Sequence, residues 1–237
     1  MKLAIVADLH GNVPALRAME KTLRGLAVDG IWFLGDAVGK GPGSIECCDW
    51  ARENCAVCVG GNWDYGIGEK AYPEDVYWWG RLGEDRLRWL RELPREARLT
   101  ISGRHFRLFH GRPVHRFIHP DDDEALMTPA FTDEQGVTHD GVIFADVHRP
   151  FIRALHSGYI INTGSVGNSL GVTAAHALLL EGTVNSETPA PLLMTILSVP
   201  YDREQAIADC PPELPHREEY IEELLTGHYA RGQKPEA

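Results

Sequence analysis

The chain opens on an unbroken apolar run, Leu3-Ala4-Ile5-Val6-Ala7, which reads as a buried strand from Lys2 to Ala7. The period then changes. Leu16, Met19, Leu23 and Leu26 recur at three- and four-residue steps, so Asn12 to Leu26 is predicted to be a helix. Ile31 to Leu34 is a second apolar run, Ser44 is placed to cap a short helix reaching about Glu53, and Ala56 to Val59 is a third strand. This β-α-β-α-β order predicts parallel strands joined by right-handed crossovers.

Past Tyr65 the pattern is less regular. A stretch rich in Tyr and Trp reaches Gly80, and a helix is predicted from about Glu84 to Leu93. Short strands then crowd together: Arg98 to Ser102, His105 to Phe109, Val142 to Ala145, Phe151 to Leu155 and Tyr159 to Asn162. Ser102-Gly103 and Ser157-Gly158 mark hairpin turns. His176 to Glu181 and Leu192 to Val199 are expected to extend the sheet of this second half. A last helix, Arg217 to Thr226, should end near Gly227, leaving a polar, flexible tail over about 228–237. No repeat or linker interrupts the order. The expectation is one α/β domain spanning 1–237, with two sheets covered by helices.

Composition narrows the partners. The formal charge is −11 and the pI about 5.4, so duplex nucleic acid gripped through its phosphates would be repelled. A small anion is different, because bound cations reverse the local field. No apolar run approaches the roughly 20 residues that span a bilayer. Met1-Lys2 leads straight into the first strand with no cleavage site after it. Five cysteines, an odd number, read as reduced thiols. The expectation is a cytoplasmic protein. Cys55-x-x-Cys58 lies in an apolar run with no second pair, so it reads as strand cysteines.

Five short motifs put a metal-type ligand just past a predicted strand: Asp8-Leu9-His10, Gly35-Asp36, Gly61-Asn62-Trp63-Asp64, His110-Gly111 and Asp146-Val147-His148. In open α/β sheets, ligands collect at the carboxyl ends of strands. Asp8 and His10, two apart, can reach one ion from a single turn. Mixed N/O donors suit Mn, Fe or Zn, and Mg less tightly. Singly, each residue has a plainer role: Asp8 and Asp36 as helix caps, His110 as a core histidine, Asn62 as a turn former. Five in order, each at a strand end, point to a metal-dependent hydrolase.

These motifs resemble the calcineurin-like metallophosphoesterase superfamily, whose pattern is Asp-x-His, Gly-Asp, Gly-Asn-His-Asp/Glu, His and Gly-His-x-His. Asn162-Thr163-Gly164-Ser165-Val166-Gly167 resembles the Asn-Pro-Gly-Ser-Val-Gly stretch of its small bacterial phosphodiesterase branch, and Val199-Pro200-Tyr201-Asp202 resembles that branch's closing strand. The resemblance implies a four-layer α-β-β-α sandwich of the metallo-dependent phosphatase type, with two divalent cations between the loops. Manganese is expected first, with Fe, Mg or Zn as alternatives. Asp8, His10, Asp36 and His148 would hold one cation; Asp36, Asn62, His110 and Asp146 the other. A hydroxide between them would attack phosphorus in line. The implied activity is hydrolysis of a phosphodiester or phosphoanhydride in a small, nucleotide-type substrate. Asp36, Asn62 and Asp64 are the implied catalytic residues, and Asn62 and Arg112 would contact substrate.

Two positions depart from the pattern. Ala145-Asp146 stands where the family has Gly-His, giving a harder, anionic ligand that favours Mn or Mg over Zn. Trp63 stands where many members have His. Indole donates one N–H but exchanges no proton at working pH, which favours good leaving groups. Trp here, with Tyr220-Ile221-Glu222 and Gly227-His228, also resembles bacterial enzymes that cleave diadenosine tetraphosphate. His115 is a candidate replacement for the missing imidazole. Tyr65, Tyr72, Tyr77, Trp78 and Trp79 form either a base-stacking cap or a packed lid, and Asp121 to Glu124 opens a helix. The rival reading is a non-catalytic scaffold or binding module, as in the retromer subunit with this fold.

Overall fold

A strand with no exposed face belongs in the middle of a sheet, and β1 (Lys2–Val6) lies there. The computed structural model describes residues 1–231. In it β1 pairs in parallel with β2 (Gly30–Leu34), which pairs in parallel with β3 (Val57–Val59). The crossovers are α1 (Val13–Gly25) and α2 (Ser44–Asn54). Asn12 caps α1 by accepting from Ala15 N–H at 3.1 Å, and Ala15, Leu16, Met19 and Leu23 form its buried stripe. Gly43, not Ser44, is the cap position of α2; the Ser44 hydroxyl accepts from Gly39 N–H instead.

The second sheet runs in the order β4 (Glu96–Ile101), β5 (Arg104–Phe109), β6 (Gly141–Phe144), β8 (Gly158–Asn162) and β7 (Phe151–Leu155). Both expected hairpins are present, β4–β5 and β7–β8, while β5–β6 and β6–β8 are parallel. One expectation is corrected. The last two strands, β9 (Ala175–Glu181) and β10 (Leu193–Val199), join the first sheet, in the order β10-β9-β1-β2-β3. β9 runs antiparallel to β1, with Leu3 opposite Leu180. Every residue of β9 but Glu181 is buried, which suits an interior strand in the free place beside β1.

The two sheets face each other across Leu3, Ile5, Leu34, Leu108, Ile143, Ile161 and Leu178. The outer face of the first sheet is covered by α1, α2, α3 (Asn62–Gly68), α4 (Val76–Leu82), α5 (Glu84–Glu92), α7 (Arg203–Ala208) and α8 (Arg217–Thr226). The outer face of the second is covered by α6 (Glu124–Met127) and the turn after it, around Phe109, Met127, Phe131 and Phe144. This is the α-β-β-α layering expected. The sequence pattern missed α3 and α7, which are only 7 and 6 residues long. Tyr77 and Trp78 are core residues of α4, so that aromatic stretch is mostly a packed element. Of the expected tail, residues 228–231 fold back: Ala230 N–H donates to Glu223, and Arg231 lies over the Trp63 ring. The rest of that segment lies outside the described residues. No helix among the described residues is long and apolar enough to cross a membrane.

Candidate metal centre

β1, β2 and β3 are parallel, and so are β5 and β6, so the loops after all five strands emerge along one edge of the sandwich. The five motifs occupy those loops. A tight reversal is needed to turn a side chain back over a strand end. Asp8, His10, Asp36, Asp146 and His148 all adopt the left-handed backbone region, with φ of 54°, 44°, 61°, 67° and 58°. Between two of the loops the approach is close enough to demand glycine: a Cβ on Gly61 would fall 2.1 Å from Asp36 Oδ1.

Three histidines share one arrangement. His10 Nδ1 donates to Val38 O at 3.1 Å, His110 Nδ1 to Leu34 O at 2.6 Å, and His148 Nδ1 to Asn168 O at 2.6 Å. Because a carbonyl only accepts, each Nδ1 carries the hydrogen, and each ring turns its Nε2 inward. Those Nε2 atoms surround two buried carboxylates. Asp8 Oδ1 lies 3.5 Å from His10, 3.7 Å from His110 and 3.2 Å from His148. Asp36 Oδ2 lies 3.7 Å from His10 and 3.2 Å from His110. The other Asp36 oxygen accepts from Trp63 N–H at 2.9 Å.

The donor set fits divalent cations. Asp8, His10 and His148 bring ligand atoms within 4.8 Å of one another, and so do Asp8, Asp36 and His110. Both Asp8 oxygens, Asn62 Oδ1 and His110 Nε2 are buried with no hydrogen-bond partner among the described residues. His10 and His148 point their Nε2 atoms at each other across 3.3 Å. Two lone pairs so placed repel unless a proton or metal lies with them. Burial works against the Asp8 carboxylate, yet the charges of His148 and His110 hold its pKa well below the usual value. Burial likewise opposes protonation of His110, but Asp36 and Asp8 raise its pKa well above the ordinary one. For His10, burial and then the Lys40 charge win, lowering it to about 4. The pocket draws positive charge while leaving one ring unprotonated, as a metal ligand must be.

Four sequence-predicted residues, Asp146, Arg112, Asp64 and His115, have other occupations. Asp146 meets Arg112 in a two-pronged ion pair, Nη2 to Oδ1 at 2.7 Å and Nε to Oδ2 at 2.9 Å, and also accepts from Arg112 N–H. It stands in neither ligand group; its nearest approach to one is 3.9 Å from His110 Nε2. Arg112 is thus held by Asp146 and lies over the Phe117 ring. Asp64 accepts from the N–H groups of Asp36, Ala37 and Gly61. It fixes the two ligand loops and touches no ligand atom. Burial, and then the Asp36 charge, push its pKa up to about 7 against those hydrogen bonds. His115 stacks on Phe109 and lies outside the cavity above the centre.

That cavity has a volume of about 720 Å³. Asp36, Asn62 and His148 form its floor; Trp63, Tyr72, Phe117 and Tyr229 are its aromatic wall. Its cations include Lys40 and Arg231, which the motif reading passed over. Lys40 carried a signal: a lysine flanked by Gly39 and Gly41 just past the Asp36 motif. The segment Asn162 to Gly167 lies behind the floor. Ser165 Oγ and Gly167 N–H both donate to Asp8 O, at 2.9 and 2.8 Å, and Asn12 Nδ2 donates to Gly167 O at 2.7 Å.

Comparison with known proteins gives a consistent picture. The sequence pattern of the calcineurin-like phosphoesterase superfamily domain matches residues 1–183. An uncharacterized protein of Methanocaldococcus jannaschii is 29% identical over 189 residues, covering 70% of this chain and 76% of its own. Among solved structures, a metallophosphoesterase from Sphaerobacter thermophilus superposes with a TM-score of 0.70 at 22% identity, covering 96% of this chain and 99% of that one. A hypothetical protein from Pyrococcus horikoshii gives 0.73 at 23% identity, with 97% and 99% covered. At these identities the two structures speak to the fold.

Proposed function

The chain belongs to the calcineurin-like phosphoesterase superfamily, and we propose that it hydrolyses a phosphodiester or phosphoanhydride of a nucleotide-type substrate with two divalent cations, manganese foremost. The observation that carries this reading is the orientation of the three histidines. Each gives Nδ1–H to a backbone carbonyl and turns Nε2 toward Asp8 and Asp36. His10 and His148 with Asp8 would hold one cation; His110 and Asn62 with Asp36 the other, with the carboxylates between them. Such cations lower the pKa of a water and offset charge on phosphoryl oxygens.

The chain's own groups narrow the chemistry. Asn62 offers a neutral oxygen with no competing hydrogen bond. Trp63 stands beside the site in a T-shaped contact with His10, 5.9 Å between centroids, and has no acidic proton to give a leaving group. A leaving group that departs as a stable anion suits this position better than an alkoxide. Arg112 neutralises Asp146, so that carboxylate does not repel a phosphate as a free charge would. The aromatic wall offers faces for a base, and base stacking contributes about 1–3 kcal/mol per base. All five cysteines are free thiols, which supports a reducing, cytoplasmic setting.

The test is a metal-stripped activity screen on bis-p-nitrophenyl phosphate, p-nitrophenyl phosphate and dinucleoside polyphosphates, with Mn, Mg, Fe or Zn restored. Turnover that returns with Mn and favours diester or anhydride over monoester is expected. No turnover with any metal would overturn the enzyme reading in favour of a scaffold.

A further inference from the structure

Beside the metal centre, three segments far apart in sequence bring together polar groups that the reaction just described does not use. Lys40 follows the Asp36 loop, Asn168 follows the segment behind the floor, and Arg231 ends the described chain. Lys40 Nζ donates to Asn168 Oδ1 at 2.6 Å. Lys40 Nζ and Arg231 Nε lie 3.8 and 4.0 Å from the same oxygen, Glu223 Oε2. The Asn168 carbonyl is the one that receives His148 Nδ1–H, so this group is one residue removed from the metal ligands. Lys40 and Arg231 line the same cavity as Asp36, Asn62 and His148.

Among the described residues, the donors Asn168 Nδ2 and Arg231 Nε and Nη2, and the acceptor Glu223 Oε2, are buried without a hydrogen-bond partner. Lys40 spends one of its three N–H donors on Asn168. Buried donors left unpaired are costly, and in native proteins they call for a ligand, a water or an ion. Neither cation has a close ion pair of its own: both share Glu223 Oε2, at 3.8 and 4.0 Å. Arg112, by contrast, is already matched by Asp146. The Arg231 guanidinium lies over the Trp63 ring, 5.6 Å from its centroid, and a planar fork so placed suits a phosphate.

We propose that Lys40 and Arg231, with Asn168 holding Lys40 from behind, form a second phosphoryl subsite, so that the substrate is a phosphoanhydride with at least two linked phosphoryl groups, one on the metal ligands and the next on these two cations. This rests on the phosphoesterase reading of the metal centre. A diester brings one anionic phosphorus and leaves these cations idle; an anhydride brings a second by covalent connection. The step balances without a protein acid. Water adds its oxygen to one phosphorus, the bridging P–O bond on that side breaks, and the bridging oxygen departs on the other phosphate as an anion. The water's proton passes to solvent. The departing charge forms beside Lys40 and Arg231, where Trp63 has no proton to offer and none is needed.

Two measurements test this on Arg231→Met and Lys40→Met, with Arg231→Lys as the conservative variant. Calorimetry on the metal-stripped full chain reads binding of inorganic tripolyphosphate, with orthophosphate as control. Turnover with Mn restored reads kcat/KM for a dinucleoside tetraphosphate against bis-p-nitrophenyl phosphate. We expect wild type to bind tripolyphosphate more tightly than orthophosphate, and each Met variant to weaken it by about tenfold or more, as loss of a charge-assisted contact implies. The ratio of anhydride to diester kcat/KM should fall by about the same factor, with Arg231→Lys between. Lys40 is buried and paired, so Arg231→Met carries the test if Lys40→Met fails to fold. Unchanged tripolyphosphate binding, or equal losses on both substrates, would overturn the subsite. Diester turnover without tripolyphosphate binding would sink the subsite and keep the metal centre. Tripolyphosphate binding without turnover on any substrate would sink the phosphoesterase reading, and the substrate assignment with it.

Discussion

At the cavity floor and beneath it every histidine is anchored by a backbone carbonyl, and Asp64 fastens the Asp36 and Gly61 backbones together. On the wall, Lys40 and Arg231 come from a loop and the end of the described chain, and they are held chiefly by Asn168 and Glu223 behind them. The floor's geometry is set by two sheets before any ligand arrives. The wall's geometry depends on side chains whose mutual charges balance only in part. The floor is therefore expected to set whether phosphorus is attacked at all, and the wall to set which phosphorus compound arrives. Substitutions on the floor should cost every substrate alike; those on the wall should discriminate among substrates.

The largest effect is expected from Asp36→Asn. Metal-based stabilisation of transition-state charge amounts to several kcal/mol, so turnover should fall by about a thousandfold with every substrate tested. Near-ultraviolet circular dichroism should stay close to wild type, because the side chain keeps its shape and can still accept from Trp63 N–H. A loss confined to one substrate would break the division between floor and wall.

Asn62→Ala comes next. It removes one preorganised oxygen, for which a loss on the order of a hundredfold is typical. At limiting Mn, measured metal content should drop toward one ion per chain. Full metal content with unchanged turnover would remove Asn62 from the ligand set.

The smallest effect, under about tenfold, is expected from Asp146→Ala, which deletes a partner of Arg112 and no ligand of either group. Metal content should remain at two ions per chain. A fall to one would show that Asp146 leaves Arg112 when metal binds, and would move it from wall to floor.

The floor could be read in the sequence because its residues are tied to strand ends, and strand ends show in the apolar pattern. Asp8, His10, Asp36, Asn62, His110 and His148 each follow a run that could be read as a strand. Asp146 follows such a run as well, but position alone did not show its pairing with Arg112. The nearby Arg112 guanidinium, set by a turn after His110, is a strong competitor for its carboxylate. The wall was not legible. Lys40, Asn168 and Arg231 share no local period, and only tertiary folding brings them to Glu223. The misplaced β9 has a related cause. Its buried run, Ala175 to Leu180, suits an interior position in either sheet, and an all-apolar strand carries no mark of the partner it will choose. Long helices such as α1 and α8 were read to within a residue or two; α3 and α7 are too short for a helical period to declare itself.

The left-handed backbone at Asp8, His10, Asp36, Asp146 and His148 bears on the history of such a chain. A residue other than glycine in that region gives up about 1–2 kcal/mol, and glycine at the same place would be relieved of it. Under the proposed activity, selection for function would hold acidic and imidazole side chains where selection for stability alone would install glycine. A descendant that no longer needs catalysis gains robustness by losing these side chains one at a time, each loss making the next cheaper to tolerate. The ligand loops are therefore where functional decay in this lineage should first be written, well before the sheets that carry them change.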